Sequence, residues 1–513
     1  ICARLYIYFY NNITNHLDPY IRKARCLQPP ASGSDHPASR LKPRVSSFKH
    51  SIQSLKLPAS CLLIILFLGL NNLKAQCCLP ENTSLKQFLD NKELRTAHVG
   101  VYVYDDSAKK VIADYQSDKY FVPASNTKLF SLYAGMKYLG DSLRGISYSE
   151  DDTSLILTGT GDPTFLHPDF QTQPVFDFLK KTHKKIYLSS GILWQETPLG
   201  PGWAWDDYND DYSVERSRLP IYGNFIRWNQ QKSPVRSNAA FEETATVSSS
   251  PEISWPVRFS KDSLPKTFLV KRLMDSNVFI IRAGDETNAT QDVPFITNDI
   301  GSAAQLLQDT LGKPVNILVY PKTGKTGWTI VPPTPGTQSG FINSRPADSV
   351  FVPMMHRSDN FFAEQTLLMV CYLTTGVMKE SLLIDTLLRG PLADLPQKPS
   401  WVDGSGLSRF NLFTPQDFVT LLIKFKNEFG MDRMKRILPT GGKGTLKNHY
   451  LAGNGYVFAK TGSLTGVICL SGYVYTIKKH LLEFSILVNN EIESGPAIRR
   501  EIETYVESLR KNN

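Results

Sequence analysis

Pro123-Ala124-Ser125-Asn126-Thr127-Lys128-Leu129-Phe130-Ser131-Leu132-Tyr133-Ala134-Gly135-Met136 is the stretch on which the reading of this chain turns. Leu129, Leu132, Tyr133 and Met136 recur at helical spacing and Gly140 ends the run, which predicts a helix over 125–138. Residues three apart share a helix face, so Lys128 can present its amine to the Ser125 hydroxyl. A serine hydroxyl is a weak nucleophile until a base takes its proton, and a lysine serves only when burial or a nearby cation lowers its pKa. The helix start also offers unpaired N–H groups to a developing oxyanion. Ser-x-x-Lys recurs elsewhere, at Ser46, Ser107 and Ser263 among other places, but of these copies only the one at Ser125 opens a patterned helix.

Two further motifs lie downstream. Ser358-Asp359-Asn360 opens a second predicted helix, over 359–373. Its hydroxyl could pass a proton and its amide could orient a carbonyl, although all three residue types are also favoured helix caps. Lys-Thr-Gly occurs at Lys322, Lys325 and Lys460. The first two copies overlap in a Pro-flanked segment that reads as surface turn. The third sits in Tyr456-Val457-Phe458-Ala459-Lys460-Thr461-Gly462-Ser463, a strand pattern beside another apolar strand. There Lys460 and Thr461 can meet a carboxylate, and Gly462 leaves room for a substrate backbone.

Around these motifs the chain alternates helix-like and strand-like segments. A short helix over 84–95, a hairpin of 98–104 with 111–115, strands over 467–475 and 481–489, and a closing helix over 496–510 predict an α/β (α+β) class, with an antiparallel sheet flanked by helices. Residues 151–339, rich in short strands and in clusters such as Val331-Pro332-Pro333-Thr334-Pro335, read as one or two inserted β-rich modules. They divide the main domain into 76–150 and 340–513.

The 513 residues carry a net charge of +9. Residues 1–75 hold ten Lys or Arg against two Asp, a net +8, and the remainder holds 47 basic against 46 acidic residues. A body so balanced has no broad basic face, and no nucleic-acid partner is expected. The leader explains the excess. Lys49 and Lys56 precede the apolar run Leu62 to Leu70, followed by Leu73-Lys74-Ala75, the order of a secretory signal peptide. The run is too short for a stable transmembrane anchor. The first Met is Met136, and part of residues 1–55 reads as upstream translation rather than folded protein. No Cys-x-x-Cys or His-Glu-x-x-His spacing occurs, so neither metal nor cofactor is expected.

Serine-lysine, Ser-x-Asn and Lys-Thr-Gly in this order resemble the penicillin-binding proteins and serine β-lactamases. The gaps of 233 residues from Ser125 to Ser358 and 102 from Ser358 to Lys460 are similar to those of the type-4, low-molecular-mass penicillin-binding proteins, the D-alanyl-D-alanine carboxypeptidase/endopeptidase family. Gly161-Asp162-Pro163-Thr164, Gly200 to Asp207, Asp403 to Arg409 and Lys460 to Val467 look like the same family. The resemblance covers 76–513.

It implies a transpeptidase-like domain with insertions, in a periplasmic enzyme acting on peptidoglycan stem peptides and acylated by β-lactams. It also implies Ser125 as nucleophile, Lys128 as base, Ser358 with Lys460 as proton relay, Asn360 as anchor and Thr461 at the terminal carboxylate. The oxyanion would lie between the N–H groups of Ser125 and Ser463. Asp207 and Arg409 would meet the diamino-acid side chain, while Thr465 stands where relatives can carry a longer amide. A serine β-lactamase or esterase, and a silent cell-wall-binding protein, remain the alternatives on this scaffold.

Overall fold

The runs Val467–Tyr475 and Leu481–Asn489 are apolar almost throughout, as strands covered on both faces are. In the computed structural model they lie inside a five-stranded sheet. The structure describes residues 83–189, 194–237, 240–260, 267–319, 337–451, 455–492 and 495–513. Residues 234–237, 240–244, 322–323 and 327–328 are described by backbone alone. The predicted leader, the Ser46 and Ser263 copies of Ser-x-x-Lys and the Val331–Pro335 cluster lie outside the described residues.

The elements that carry the argument are α1 (Thr83–Leu89), β1 (His98–Asp105), β2 (Lys110–Tyr115), α2 (Lys128–Tyr138), α3 (Asn360–Thr375), α4 (Pro415–Phe429), β3 (Val457–Leu464), β4 (Val467–Tyr475), β5 (Leu481–Asn489) and α5 (Gly495–Asn512). The sheet runs β3-β4-β5-β1-β2, antiparallel at every step. Side chains alternate across it. Phe458, Cys469, Tyr473 and Leu487 face a core with α2, α3 and α4. Ala459, Ile468, Leu470 and Phe484 face a second core with Phe88 of α1 and Ile498, Ile502 and Tyr505 of α5. The fold is therefore the expected α+β one, with helices on both faces of an antiparallel sheet.

The predicted helix at 125–138 begins as a tighter 3-10 turn, Ala124–Thr127, before α2 proper. It is also buried on every side from Lys128 to Met136, where the four periodic apolar residues suggested one face. The reason is close packing around it. A Cβ on Gly135 would come within 2.7 Å of the Phe351 ring and 2.8 Å of Thr366 on α3.

Between the two parts of this sheet structure the chain builds another. Its strands, in order Val315–Leu318, Lys185–Ser189, Ser154–Gly159, Ser142–Glu150 and Gln338–Pro346, form a mixed sheet. Two helices, Pro174–Lys181 and Gly301–Leu311, share its core. Two three-stranded sheets follow in the same stretch, one built on the long hairpin of Phe225–Ser237 with Ala240–Ser250. We propose that residues 142–346 are the inserted part, with the three-stranded sheets nested inside the mixed one. The first strand and the last then close it. The Lys-Thr-Gly copy at Lys322 begins a two-residue strand, Lys322–Thr323, that pairs antiparallel with Gly327–Trp328, and the copy at Lys325 lies outside the described residues.

Helix α4, which carries Phe418, Leu421, Leu422 and Phe425 into the core, starts on a reciprocal cap. Asp417 N–H donates to Thr414 Oγ1 at 3.2 Å, and Thr414 N–H donates to the Asp417 carboxylate at 3.0 Å. Thr414→Ala is expected to cost about 1 kcal/mol of stability, read by chemical denaturation.

Candidate active site

Position along β3 is decided by strand alternation. Ala459 N–H donates to Pro439 O at 3.0 Å, on the side away from β4. N–H groups two residues apart point the same way, so those of Thr461 and Ser463 also face this outer edge. Side chains alternate between the faces in the same manner. Lys460 and Gly462 turn toward the α2 and α3 face, while Thr461 and Ser463 turn toward α5.

The turn that carries Ser125 lies directly on this strand. A Cβ on Gly462 would fall 2.5 Å from Pro123 O, and one on Gly406 would fall 1.9 Å from Ala124 O. Gly462 is thus needed for the approach of two backbones of this chain, a different reason from the substrate clearance that the strand pattern suggested. Asn126 fastens the turn from beneath, with Nδ2 donating to Ser471 Oγ at 2.9 Å in the middle of β4. Ser471 pairs across the ladder with Lys460 and shares a 2.9 Å bond with Ser485 of β5. Ala124 has φ of 47° and Ser358 has φ of 61°, left-handed values that cost a non-glycine residue about 1–2 kcal/mol. Both strained residues sit at the point where motifs meet.

Lys128 is fully buried, and its Nζ lies 2.9 Å from Ser125 Oγ, 2.6 Å from Asn360 Oδ1 and 2.7 Å from Ser405 O. The last two oxygens can only accept. A neutral amine has two N–H bonds and one lone pair, so the two carbonyl oxygens take the hydrogens and the lone pair is left facing the Ser125 hydroxyl. Burial pulls the Lys128 pKa down to about 8, against the opposing pull of Asp403, Glu364 and Asp359. Lys460, also fully buried, lies 2.9 Å from Ser358 Oγ and 2.7 Å from Thr461 O. Burial first, and the charge of Lys128 second, push its pKa well below the ordinary lysine value. Asp359 caps α3 by accepting from Phe362 N–H at 2.9 Å, so the cap falls on Asp359 and leaves Ser358 and Asn360 for their contacts with the two lysines.

Residues 81–509 match the family described as D-Ala-D-Ala carboxypeptidase 3 (S13). The chain belongs to the S13 family. It is similar to the D-alanyl-D-alanine carboxypeptidase DacB of Haemophilus influenzae, 25% identical over 437 residues that cover 77% of this chain and 85% of the relative. The crystal structure of penicillin binding protein 4 (dacB) from that organism covers 84% of this chain and 100% of its own, with a TM-score of 0.63 at 20% identity. A crystal structure of the same protein complexed with a novel β-lactam covers 84% of this chain and 99% of its own, at 19% identity and a TM-score of 0.59.

In this S13 chain the five predicted catalytic residues come together, and Thr461, Gly462 and Ser463 line one cavity of about 450 Å³ with Ser125 and Ser358. The two residues expected at the diamino-acid side chain stand farther out. Arg409, exposed, donates to Thr465 O at 2.5 Å, beyond the end of β3. Asp207 lies half-buried in the turn Trp205–Asn209, where burial and the neighbouring Asp210 and Asp206 raise its pKa against the pull of Tyr212. Neither is among the residues lining that cavity.

Sequence reasoning missed the residues behind the S13 site. Ser405, whose carbonyl holds Lys128, lies in the Asp403–Arg409 stretch that the resemblance singled out without a role for it. Its N–H donates to Glu364 of α3 at 2.7 Å. Asp403 accepts from Gly406 N–H at 2.8 Å, Ser408 N–H at 2.7 Å and Trp203 Nε1 at 3.0 Å. Arg216, buried in the inserted part, pairs with Glu380 at 2.6 Å and Glu364 at 3.4 Å. No local motif marks Arg216 or Glu364; only their burial as charges does.

Gly462→Ala is expected to part β3 from the Ser125 turn. Displacements of this order cost about 100-fold in rate. The rate of labelling by fluorescent penicillin should fall by about that factor, while circular dichroism stays unchanged.

Proposed function

We propose that this S13 chain is a penicillin-binding D-alanyl-D-alanine carboxypeptidase and DD-endopeptidase, cleaving peptidoglycan stem peptides and their cross-links through a serine acyl-enzyme. The observation that carries the reading is the Lys128 amine, held by two carbonyl oxygens with its remaining valence on Ser125. A hydrolase of this type needs that arrangement, and nothing in a silent cell-wall-binding protein requires it.

Ser125 Oγ attacks the carbonyl of the penultimate D-Ala as neutral Lys128 takes its proton. The oxyanion settles between Ser125 N–H and Ser463 N–H, the latter on the outer edge of β3 and so free of the β4 ladder. Collapse of the tetrahedral adduct expels the amine. Ser358 Oγ, bonded to Lys460 Nζ, delivers the proton that the leaving amine needs, and Lys460 replaces it. Lys128 then gives the proton it took from Ser125 to the neutral Lys460 by way of Ser358, which restores both amines. Water enters, loses a proton to Lys128 as it attacks the acyl carbonyl, and Lys128 returns that proton to Ser125 Oγ as the acyl group departs. Asn360 orients Lys128 through its oxygen while its Nδ2 donates to Tyr212 O at 2.9 Å. Thr461 takes the terminal carboxylate. Asp207 and Arg409 serve the distal part of the stem peptide.

A β-lactam follows the same first step, and the β-lactam complex of the Haemophilus influenzae relative supports this. The substrate lies outside the cytoplasm, which accords with the signal peptide predicted from the sequence and with export to the periplasm. Among the described residues no helix is long and apolar enough to cross a membrane.

Ser125→Ala should abolish both penicillin labelling and D-Ala release from muropeptides, read by fluorescence and mass spectrometry; retained labelling would remove Ser125 from its role. Lys460→Ala should abolish acylation as well, whereas Lys322→Ala with Lys325→Ala should leave it nearly intact. Rapid nitrocefin turnover by the wild type would favour a β-lactamase instead. The pH profile follows from Lys128. Its neutral form is the base and its pKa is lowered to about 8, so acylation should rise with pH and level off above about 8. A rate that falls through that range would exclude Lys128 as the base.

A further inference from the structure

Two cavities flank the Ser125–Ser358 centre, and their charges are opposite in kind. The one on the Asn360 side, about 340 Å³, is lined by Asp169, Asp211, Asp292 and Asp359 together with Arg227 and Arg357. The one over the edge of β3, about 450 Å³, has no acidic residue in its lining. Its charged lining residues are Lys447 and Arg499, and His449, Tyr450 and Cys469 are the other titratable ones. His449 is already engaged, with Nδ1 2.7 Å from Glu503. Arg499 projects from α5 and donates through Nη2 to Ser463 Oγ at 2.9 Å. No Asp or Glu among the described residues forms an ion pair with it, and its guanidinium has further N–H donors than the one that Ser463 receives.

Strand alternation explains why Arg499 is there. Thr461 and Ser463 face α5, so a group reaching across the β3 edge from α5 meets the same side chains that border the substrate. A leaving group that ends in a carboxylate belongs in the acid-free cavity, and a guanidinium fits a carboxylate through two parallel N–H bonds. We propose that Arg499, oriented by Ser463, binds the free carboxylate of the leaving D-amino acid and sets the preference of this enzyme for a charged C-terminus. Lys447, exposed, adds to the field of this cavity.

The inference rests on the peptidase reading above, and one experiment separates the two. Two acyl-D-alanyl thioesters serve as probes, one whose leaving thiol carries a carboxylate and one in which it is a carboxamide; both release a thiol that is read directly. Wild type should strongly prefer the carboxylate. In Arg499→Gln, kcat/KM for the carboxylate substrate should fall by about tenfold to a hundredfold, while the carboxamide substrate changes less than about threefold. Arg499→Lys should restore part of the preference. Continued turnover of the carboxamide shows that the variant is folded. An undiminished preference in Arg499→Gln, or an equal loss on both substrates, overturns the role of Arg499. Failure of wild type on both substrates would instead overturn the peptidase reading.

Discussion

An amine buried without water has a fixed number of hydrogens to place, and the arrangement around Lys128 depends on that limit. Asn360 Oδ1 and Ser405 O lie within 2.6 Å and 2.7 Å of Nζ and neither can donate. Once the amine is neutral, only Ser125 can supply the remaining contact, and it must do so by donating. Geometry and protonation state therefore single out the same pair, Ser125 and Lys128. The cost of burying a lysine is what lowers its pKa, so the burial that opposes the charge also favours the neutral amine that the proposed base requires. Lysine is suited to this in a way arginine is not, since a guanidinium stays charged in any environment of this kind.

The three groups around Nζ come from three distant parts of the chain, and each is held by something larger than itself. Asn360 begins α3, whose Gln365 donates to Gly161 O and Ser217 O of the inserted part at 2.8 Å each. Ser405 hangs on Glu364 of the same helix, and Arg216 of the inserted part shares that carboxylate. Trp203, from the Gly200–Asp207 stretch, holds Asp403 at the base of the Ser405 turn. The residues proposed as inserted thus brace the back of the candidate site. One arginine faces Glu364, Glu380 and Glu196, and burial raises the pKa of both Glu364 and Glu380. Removing one partner from so dense a group leaves buried charge uncompensated.

What the sequence revealed, it revealed through local periodicity. Strands β4 and β5 occupy the residues that their apolar runs marked, and β1 and β2 cover the two segments read as a hairpin. Ser125, Lys128, Ser358, Asn360 and Lys460 were legible because each motif opens or occupies an element with a clear pattern, and the order of the motifs excluded the other copies. Ser107 illustrates the rejected kind. It sits in the β1–β2 turn and accepts from Leu481 N–H at 3.3 Å, while Lys110 stays exposed. Contacts through space left no such trace. Gly462 looks the same in sequence whether it clears a substrate or the Pro123 carbonyl, and Ser405 acts through a carbonyl that every residue possesses. Arg216 and Arg499 are single charges whose partners lie far along the chain.

The two buried lysines also give the proposed reaction a direction. They are coupled, because the charge of Lys128 is a cause of the lowered pKa of Lys460. Before attack Lys128 is neutral, and Lys460 holds its proton with less opposition. When Lys128 takes the proton of Ser125 its new charge presses on Lys460, whose bond to Ser358 becomes a better source of a proton. That is the moment at which the leaving amine requires one. Hydrolysis reverses the demand, since Lys128 must be neutral again before it can accept a proton from water. The coupling therefore favours release of the leaving group at the stage when Lys128 is charged and favours activation of the nucleophile when it is not. Neither lysine alone could serve both stages without a counterpart close enough to feel its charge and buried enough for water not to screen it.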